Sequence, residues 1–171
     1  GGKIEIDGAV FGRRKTNNQK RMLLAVETKS WIDNKGKSKS KAGFAKVSVG
    51  DNEDKAQAIR MVHRDIQEGA VVQTDGGNAL SKLPRVDCRP LVVRGDKVLL
   101  DTWLPWIHKL ISNSKSWIRG THHGIGGRYV RQYLAEYIYR FNRRHDLDGL
   151  FHRALTACSS ASPKTYSELF G

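Results

Sequence analysis

Two aspartates stand out because each lies in or directly after a segment that the sequence predicts to be a β-strand. Asp7 lies within the alternating run Lys3–Phe11, and Asp75 ends a short apolar run that begins at Ala70. Carboxylate oxygens are the hard ligands that Mg²⁺ and Mn²⁺ prefer. If the two strands are neighbours, these side chains converge on divalent ions, an arrangement suited to phosphoryl transfer on a nucleic-acid backbone.

Each aspartate also has a simpler interpretation. Asp75 precedes two glycines and could be a turn residue, while Asp7 could face solvent from its strand. Glu5 shares a strand face with Asp7 and is the local competitor for its role. However, a carboxylate placed between Ile6 and Val10 has a desolvation cost that a bound cation would offset.

A third candidate ligand lies on a later segment, Leu104–Arg119, whose apolar residues recur at helical spacing. His108 and Lys115 are seven residues apart on a polar edge beside this apolar stripe, with Ser112 on the same edge. A third metal ligand is expected from a later helix of this kind. From the residues alone, His108 is simply a helix-edge histidine hydrogen-bonded in place and Lys115 an ordinary solvated lysine.

Length and composition restrict the class of protein. The 171 residues suit one domain, spanning 1–171, and the formal net charge is +13. No run approaches the roughly 18 to 20 apolar residues of a membrane helix, and no signal peptide is visible. Because Cys88 and Cys158 form no CxxC pair, we expect a protein of the reduced cytosol with no disulfide framework and no membrane partner.

The positive charge is concentrated at the two ends of the chain. Residues 1–50 carry 12 basic and 4 acidic side chains, residues 51–110 carry 9 of each, and residues 111–171 carry 9 and 4. Two basic segments on either side of a neutral one favour a polyanion-binding groove. Positive charge that only keeps a protein soluble would be spread evenly along the chain. Nucleic acid is therefore the expected partner.

The elements that would position these residues follow an α/β order. Three strands come first, then a helix that Asp51 would cap, a fourth strand and two amphipathic helices. Short strands at Arg85–Cys88 and Lys97–Leu100, a tail helix at Leu150–Ala157 and a final loop complete the pattern. This is the order of a ribonuclease-H-like mixed sheet with C-terminal helices, although alternation alone does not separate it from other α/β layouts. The main predicted elements are Lys3–Phe11, Arg21–Thr28, Gly43–Val49, Ala70–Asp75, Leu104–Arg119 and Tyr129–Phe141.

A family resemblance rests on four segments: IEIDGAVFG, VVQTDGGNAL, WIRGTHHGIGGRYVRQYLAEYIYRFNRR and SPKTYSELFG. They occur in the family's order and span nearly the whole chain, which resembles the catalytic domain of bacterial insertion-sequence transposases of the DDE type, in the ISXO-two-like branch. The third segment is the most specific, because family members carry a similar Gly-Thr-x-His, Tyr-Leu-x-Glu and Arg-Phe-Asn-Arg-Arg pattern.

The resemblance implies a role for each candidate. Asp7 and Asp75 match the first and second metal-binding aspartates, and His108 matches a third position that is Glu, Asn or His in the family. Lys115 matches a lysine seven residues later. All four would be catalytic, and the first three would hold two Mg²⁺ or Mn²⁺ ions. A neutral imidazole suits Mn²⁺ better than Mg²⁺, and His108 could instead position water or a phosphate.

The implied partner is double-stranded DNA, at transposon ends and at the target, bound by a homo-oligomer in the bacterial cytoplasm, associated with the nucleoid. No base-reading motif is present, and we expect the family's usual N-terminal end-recognition module to be absent. The alternative for the lysine run is a solubilising surface, and for the arginines after residue 139 a bracing of the active site. His122 and His123 are expected to make structural or phosphate contacts rather than bind metal. The residues predicted to contact DNA are Lys35, Lys37, Lys39, Lys41, Lys115, Arg119, Arg140, Arg143 and Arg144.

The function that follows is nicking of transposon ends and transfer of the freed 3′-hydroxyl into target DNA. Two alternatives remain open at this point. One is a non-catalytic, transposase-derived DNA-binding module, which the histidine in place of glutamate motivates. The other is a ribonuclease-H-like nuclease that only hydrolyses its substrate.

Overall fold

The computed structural model describes residues 2–12, 19–48, 54–92, 97–123 and 125–170. Within them, the strands form one five-stranded sheet in which the first strand is central. The strands are β1 (Lys3–Phe11), β2 (Lys20–Ile32), β3 (Ser38–Val47), β4 (Val71–Thr74) and β5 (Asp87–Pro90), in the spatial order β3-β2-β1-β4-β5. The pairs β1–β2 and β2–β3 are antiparallel, whereas β1–β4 and β4–β5 are parallel.

Six α-helices lie in the described part of the chain. None of them is long and apolar enough to cross a membrane. A 3-10 turn at Gly127–Tyr129 precedes the fourth helix. The helices are α1 (Lys55–Asp65), α2 (Lys97–Trp103), α3 (Pro105–His122), α4 (Val130–Asn142), α5 (Leu147–Ser160) and α6 (Tyr166–Phe170).

The sheet has two covered faces, because successive strand residues point to opposite sides. On the first, which we call the α3 face, Ala9 and Phe11 of β1 pack with Leu24 of β2 against α3 and α4. On the second, the α1 face, Ile6 and Leu23 pack against α1 and against the segment after β4. Alternation in β1 therefore assigns its odd-numbered residues to the α3 face and its even-numbered residues to the α1 face.

The predicted α/β fold with a ribonuclease-H-like mixed sheet is confirmed, including three antiparallel strands followed by alternating helices and strands. The bounds predicted for β1 are those observed. β2 is longer than predicted at both ends, and β3 begins earlier, at Ser38.

Three local predictions are wrong. The segment Lys97–Leu100 begins helix α2 rather than forming a strand, and Arg85–Cys88 is shifted to Asp87–Pro90. Asp54 caps α1, since its carboxylate accepts a hydrogen bond from the backbone N–H of Gln57 at 2.6 Å, whereas Asp51 lies outside the described residues. The turn predicted at the end of the final loop is the short helix α6.

Candidate active site

Asp7 and His108 lie side by side where β1 meets α3. The Nε2 atom of His108 is 3.3 Å from Oδ2 of Asp7, and the two side chains are 23% and 16% exposed. Oδ1 of Asp7 accepts a hydrogen bond from the backbone N–H of Gly8 at 2.7 Å. A carboxylate oxygen and a bare imidazole nitrogen repel each other at this distance, so the pair requires a proton or a metal ion between them.

The other imidazole nitrogen of His108 is held by Asp101 on α2. Nδ1 lies 2.6 Å from Oδ1 of Asp101, which is 70% exposed. The hydrogen bond that protonated His108 donates to Asp7, and then the one it donates to Asp101, raise the pKa of His108 from 6.5 to about 9 despite partial burial. Because Asp101 accepts the Nδ1 proton, Nε2 is the nitrogen that becomes a ligand when its own proton leaves.

Asp75 lies directly after β4, the strand that neighbours β1. The parallel pairing aligns Ile6 with Thr74, and Asp7 and Asp75 are the next residue on each strand. Oδ1 of Asp75 also accepts a hydrogen bond from the backbone N–H of Gly77 at 3.0 Å. The predicted neighbourhood of the two strands is therefore confirmed, while metal binding by Asp75 stays a prediction.

Glu5 has a structural role that differs from that of a metal ligand. It is completely buried, and its Oε2 accepts hydrogen bonds from the backbone N–H groups of Trp106 and Ile107 at 2.8 and 2.9 Å. Its Oε1 accepts from the hydroxyl of Thr28 at 2.7 Å. The cap position of α3, Leu104, offers no side-chain acceptor, so a carboxylate from β1 satisfies the first N–H groups of the helix.

The donor atoms of Asp7, Asp75 and His108 suit Mn²⁺ or Mg²⁺ chemically. Within the residues that the structure describes, no group of three or more His, Cys, Asp or Glu side chains is arranged to hold one metal ion. Two-metal sites separate their ions by roughly 3.5 to 4 Å and divide the ligands between them. Among these candidates, Asp7 and His108 are in contact, whereas Asp75 is placed only by the pairing of β4 with β1.

Lys115 lies two turns further along α3, on the same edge as His108. Its Nζ is 5.5 Å from the centre of the Phe11 ring, near the end of β1. Lys115 is exposed, as is Arg119 one turn later. The predicted polar edge of α3 therefore exists and follows β1 from Asp7 toward Phe11.

The predicted lysine arm is the hairpin between β2 and β3. The Asp33 carboxylate closes its turn by accepting hydrogen bonds from the backbone N–H groups of Lys35 and Lys37, both at 2.9 Å. The ammonium of Lys39 is 3.6 Å from the same carboxylate, and Lys41 packs over an aromatic ring. All four lysines are exposed, and their contact with DNA stays a prediction.

Asn142 and Arg144 fasten the end of α4 to the edge strand β3. The Asn142 side-chain amide accepts from the backbone N–H of Ala45 at 2.7 Å and donates to its C=O at 2.8 Å. Arg144 donates to the carbonyls of Ala42 and Phe141. These contacts brace α4 against β3, an edge strand of the sheet. Bracing of the active site by these residues stays a prediction.

The two other arginines of this segment also contact neighbours within α4. Arg140 lies 3.5 Å from the carboxylate of Glu136. Arg143 stacks on the ring of Tyr139, with its guanidinium carbon 3.7 Å from the ring centre, and donates to the Tyr139 carbonyl at 3.3 Å. DNA contacts by Arg140, Arg143 and Arg144 stay predictions.

The two adjacent histidines at the end of α3, His122 and His123, have different roles in the fold. The His122 ring packs between Tyr133 and Trp117, with ring centres 4.2 and 5.0 Å away. Among the described residues, its buried Nε2 has no hydrogen-bond partner. His123 adopts a left-handed backbone conformation, with φ of 52°, and ends the helix. The structural contact expected of His122 is thus present.

The sequence-based reasoning missed Asp101 and the cap formed by Glu5. Asp101 lies on α2 and His108 on α3, so the periodicity of a single helix does not relate them. The segment that contains Asp101 was also predicted in part as a strand. No local pattern marks Glu5, because its partners in α3 are about a hundred residues away.

The fold and this site define a ribonuclease-H-like domain with an aspartate–histidine pair at its central strand. The sequence model of the ISXO2-like transposase domain matches residues 1–142, which include β1–β5, α1–α4 and all four predicted catalytic residues. The chain belongs to this family of insertion-sequence transposases, and membership implies DNA as the partner. No curated protein and no solved structure has a significant match to the chain.

Proposed function

We propose that this domain nicks DNA at transposon ends and transfers the freed 3′-hydroxyl into target DNA, using divalent ions held by Asp7, Asp75 and His108. The observation that supports it most is the convergence of Asp7 and His108 from two different elements, with Asp75 on the adjacent strand. When bound, two such ions supply Lewis-acid activation of the attacking oxygen and of the phosphate.

The chain's own residues account for the preorganisation of this site. Glu5 fixes the first turn of α3, and hence the position of His108, by binding two backbone N–H groups. Asp101 holds Nδ1 of His108 so that Nε2 faces Asp7. Lys115, on the same edge of α3, would stabilise negative charge on a phosphate. Preorganised charges of this kind need no rearrangement when the substrate binds.

The test is Mn²⁺-dependent nicking and strand transfer on a supercoiled plasmid that carries the element's own ends. We expect Asp75→Asn to abolish both reactions, whereas the matched control Asp87→Asn on exposed β5 leaves them unchanged. Asp75→Asn with the wild-type rate would refute the assignment. Cleavage without joining would indicate a hydrolytic nuclease, and salt-sensitive DNA binding without Mn²⁺ binding would indicate a non-catalytic module.

A further inference from the structure

A cavity of about 360 Å³ lies along α3, beyond the Asp7–His108 pair. Three nitrogen-bearing side chains, Lys115, Arg119 and His123, line one side of it. The opposite wall is the end of β1. The remaining walls include Phe11, Ile118 and Ile125, which are all buried apolar residues.

The three polar side chains share one side of α3 because of their spacing. Lys115 and Arg119 are four residues apart, which places them about 6 Å apart along the helix axis and on the same face. His123 follows after four more residues and ends the helix. The contact of Lys115 with the Phe11 ring holds its ammonium beside the wall formed by β1.

The positive charges of Lys115 and Arg119 are not compensated by acidic side chains among the described residues. None of those side chains lines the cavity, and none forms an ion pair with Lys115 or Arg119. The C-terminal end of a helix carries about half a negative charge, which favours one nearby cation. That effect fades within the last turn, so it does not account for Lys115. Two full positive charges and an imidazole therefore surround a space that suits an anion.

The cavity also continues the candidate active site. His108 and Lys115 are seven residues apart on one edge of α3, about 10 Å along the helix axis. The other wall continues β1 from Asp7 to Phe11. Nucleotides on one strand of duplex DNA are spaced by roughly 3.4 Å along its axis. Arg119 is eleven residues after His108, about 16 Å along the helix axis. A strand that runs along α3 with its reacting phosphate at Asp7 and His108 would therefore pass Arg119 about five nucleotides away.

We propose that this cavity binds one phosphate of the DNA strand, about five nucleotides from the reacting phosphate, through Arg119 and His123. This inference rests on the proposed function. The planar Arg119 guanidinium can donate two parallel hydrogen bonds to phosphate oxygens, and His123 can donate a ring N–H. The cavity thus positions the strand, while Asp7 and His108 belong to the chemistry.

The test measures binding to a fluorescein-labelled DNA duplex by anisotropy, in EDTA, over a range of salt concentrations. Arg119→Gln removes one phosphate contact, so the slope of log K against log [salt] should become shallower by about 0.9. From the same slope, affinity should fall roughly eightfold at 0.1 M salt. Arg119→Lys keeps the charge and should retain most of the slope.

The matched control is Arg60→Gln, an equal charge change at an exposed position of α1, on the other face of the sheet. His123→Asn is the second variant, because asparagine tolerates the left-handed conformation observed there. It should weaken binding by itself and weaken it less when combined with Arg119→Gln, because both residues bind the same phosphate. Thermal melting identifies any variant that does not fold.

Equal slopes for Arg119→Gln and Arg60→Gln would overturn the proposal, and so would fully additive effects of Arg119→Gln and His123→Asn. Either result would leave the metal-dependent reaction of the wild-type protein intact. Failure of the proposed function has a different signature, which is wild-type DNA binding without Mn²⁺-dependent nicking. The two failures are therefore distinguishable in the same preparation.

Discussion

The two faces of the central sheet bury different kinds of residue, although both are built from the same strands. On the α1 face, Ile6 packs with Met61 and Val72 in an apolar cluster. On the α3 face, β1 instead presents Glu5 and Asp7, which both contact α3. Successive residues of one strand therefore divide between packing and chemistry.

The difference shows where a sheet can accommodate buried carboxylates. An unpaired buried carboxylate is strongly unfavourable, and the first N–H groups of a helix are equally unfavourable when they are buried without acceptors. On the α3 face, the buried carboxylate of Glu5 and the first N–H groups of α3 are hydrogen-bonded to each other, so neither is left without a partner. On the α1 face, α1 begins with its own cap, Asp54, and needs no acceptor from the sheet.

The largest expected effect is the loss of nicking activity when Asp7 on the α3 face is replaced. Asp7→Asn should reduce the rate of Mn²⁺-dependent nicking by at least about a thousandfold, as for residues that act in one catalytic unit. Its stability in EDTA should fall by roughly 1 to 2 kcal/mol, because asparagine keeps an oxygen that accepts from Nε2 of His108 but loses the charge that strengthens this hydrogen bond. Single-turnover nicking and urea denaturation measure the two quantities, and a large loss of stability would contradict the comparison.

A substitution on the α1 face should have the opposite effect, reducing stability but not activity. Met61 is 2% exposed, and Met61→Ala should reduce the free energy of unfolding by about 2 to 5 kcal/mol through a cavity in the apolar cluster. The nicking rate per folded molecule should stay close to that of the wild type at low temperature. Urea denaturation measures the free energy of unfolding. Active-site titration gives the fraction of folded molecules, by which the nicking rate is divided. A selective loss of rate would show that the two faces are coupled.

The third prediction concerns Asp101, which contacts His108 on the α3 face, and its effect on Mn²⁺ binding. Asp101→Ala removes the acceptor at Nδ1 of His108 and should weaken Mn²⁺ binding by about 10- to 100-fold, as for other residues that orient a metal ligand. Asp101→Asn keeps an acceptor oxygen and should recover most of the affinity. Isothermal titration calorimetry with Mn²⁺ checks both variants. Equal affinities for wild type and Asp101→Ala would exclude a positioning role.

The smallest expected effect is a pH dependence of stability without divalent ions. The pKa of His108 is raised from 6.5 to about 9 by Asp7 and then Asp101. The resulting stabilisation is fully present below pH 6.5 and is lost as the pH rises through 9. In EDTA, the Tm difference between wild type and His108→Gln should therefore shrink between pH 6 and pH 9. A constant difference would contradict this assignment.

The sequence predicted those parts of the fold that depend on regular patterns. Alternation identified β1, and the apolar stripe beginning near Pro105 identified α3. That Asp7 and His108 belong to one site could be inferred from the polar edge of α3 together with the family resemblance. In contrast, α2 was missed, because its short apolar run, residues 98–100, fits a buried strand and a helix equally well.

The parts that could not be predicted depend on distant partners. The capping of α3 by Glu5 joins residues about a hundred positions apart, and a single sequence contains no signal for such a pair. The same holds for Asn142, whose amide pairs with the backbone of Ala45. Nothing local in the Arg-Phe-Asn-Arg-Arg segment marks this contact with the edge strand β3.

The contact of Glu5 with α3 also makes the assembled site directly observable by amide hydrogen exchange. The first amides of a helix usually exchange rapidly, because no carbonyl within the helix accepts from them. Here the amides of Trp106 and Ile107 are bonded to a buried carboxylate 101 and 102 positions away. They can exchange only when α3 separates from β1, and that opening also parts Asp7 from His108. Their exchange rates therefore measure how often the Asp7–His108 pair comes apart in the otherwise folded protein.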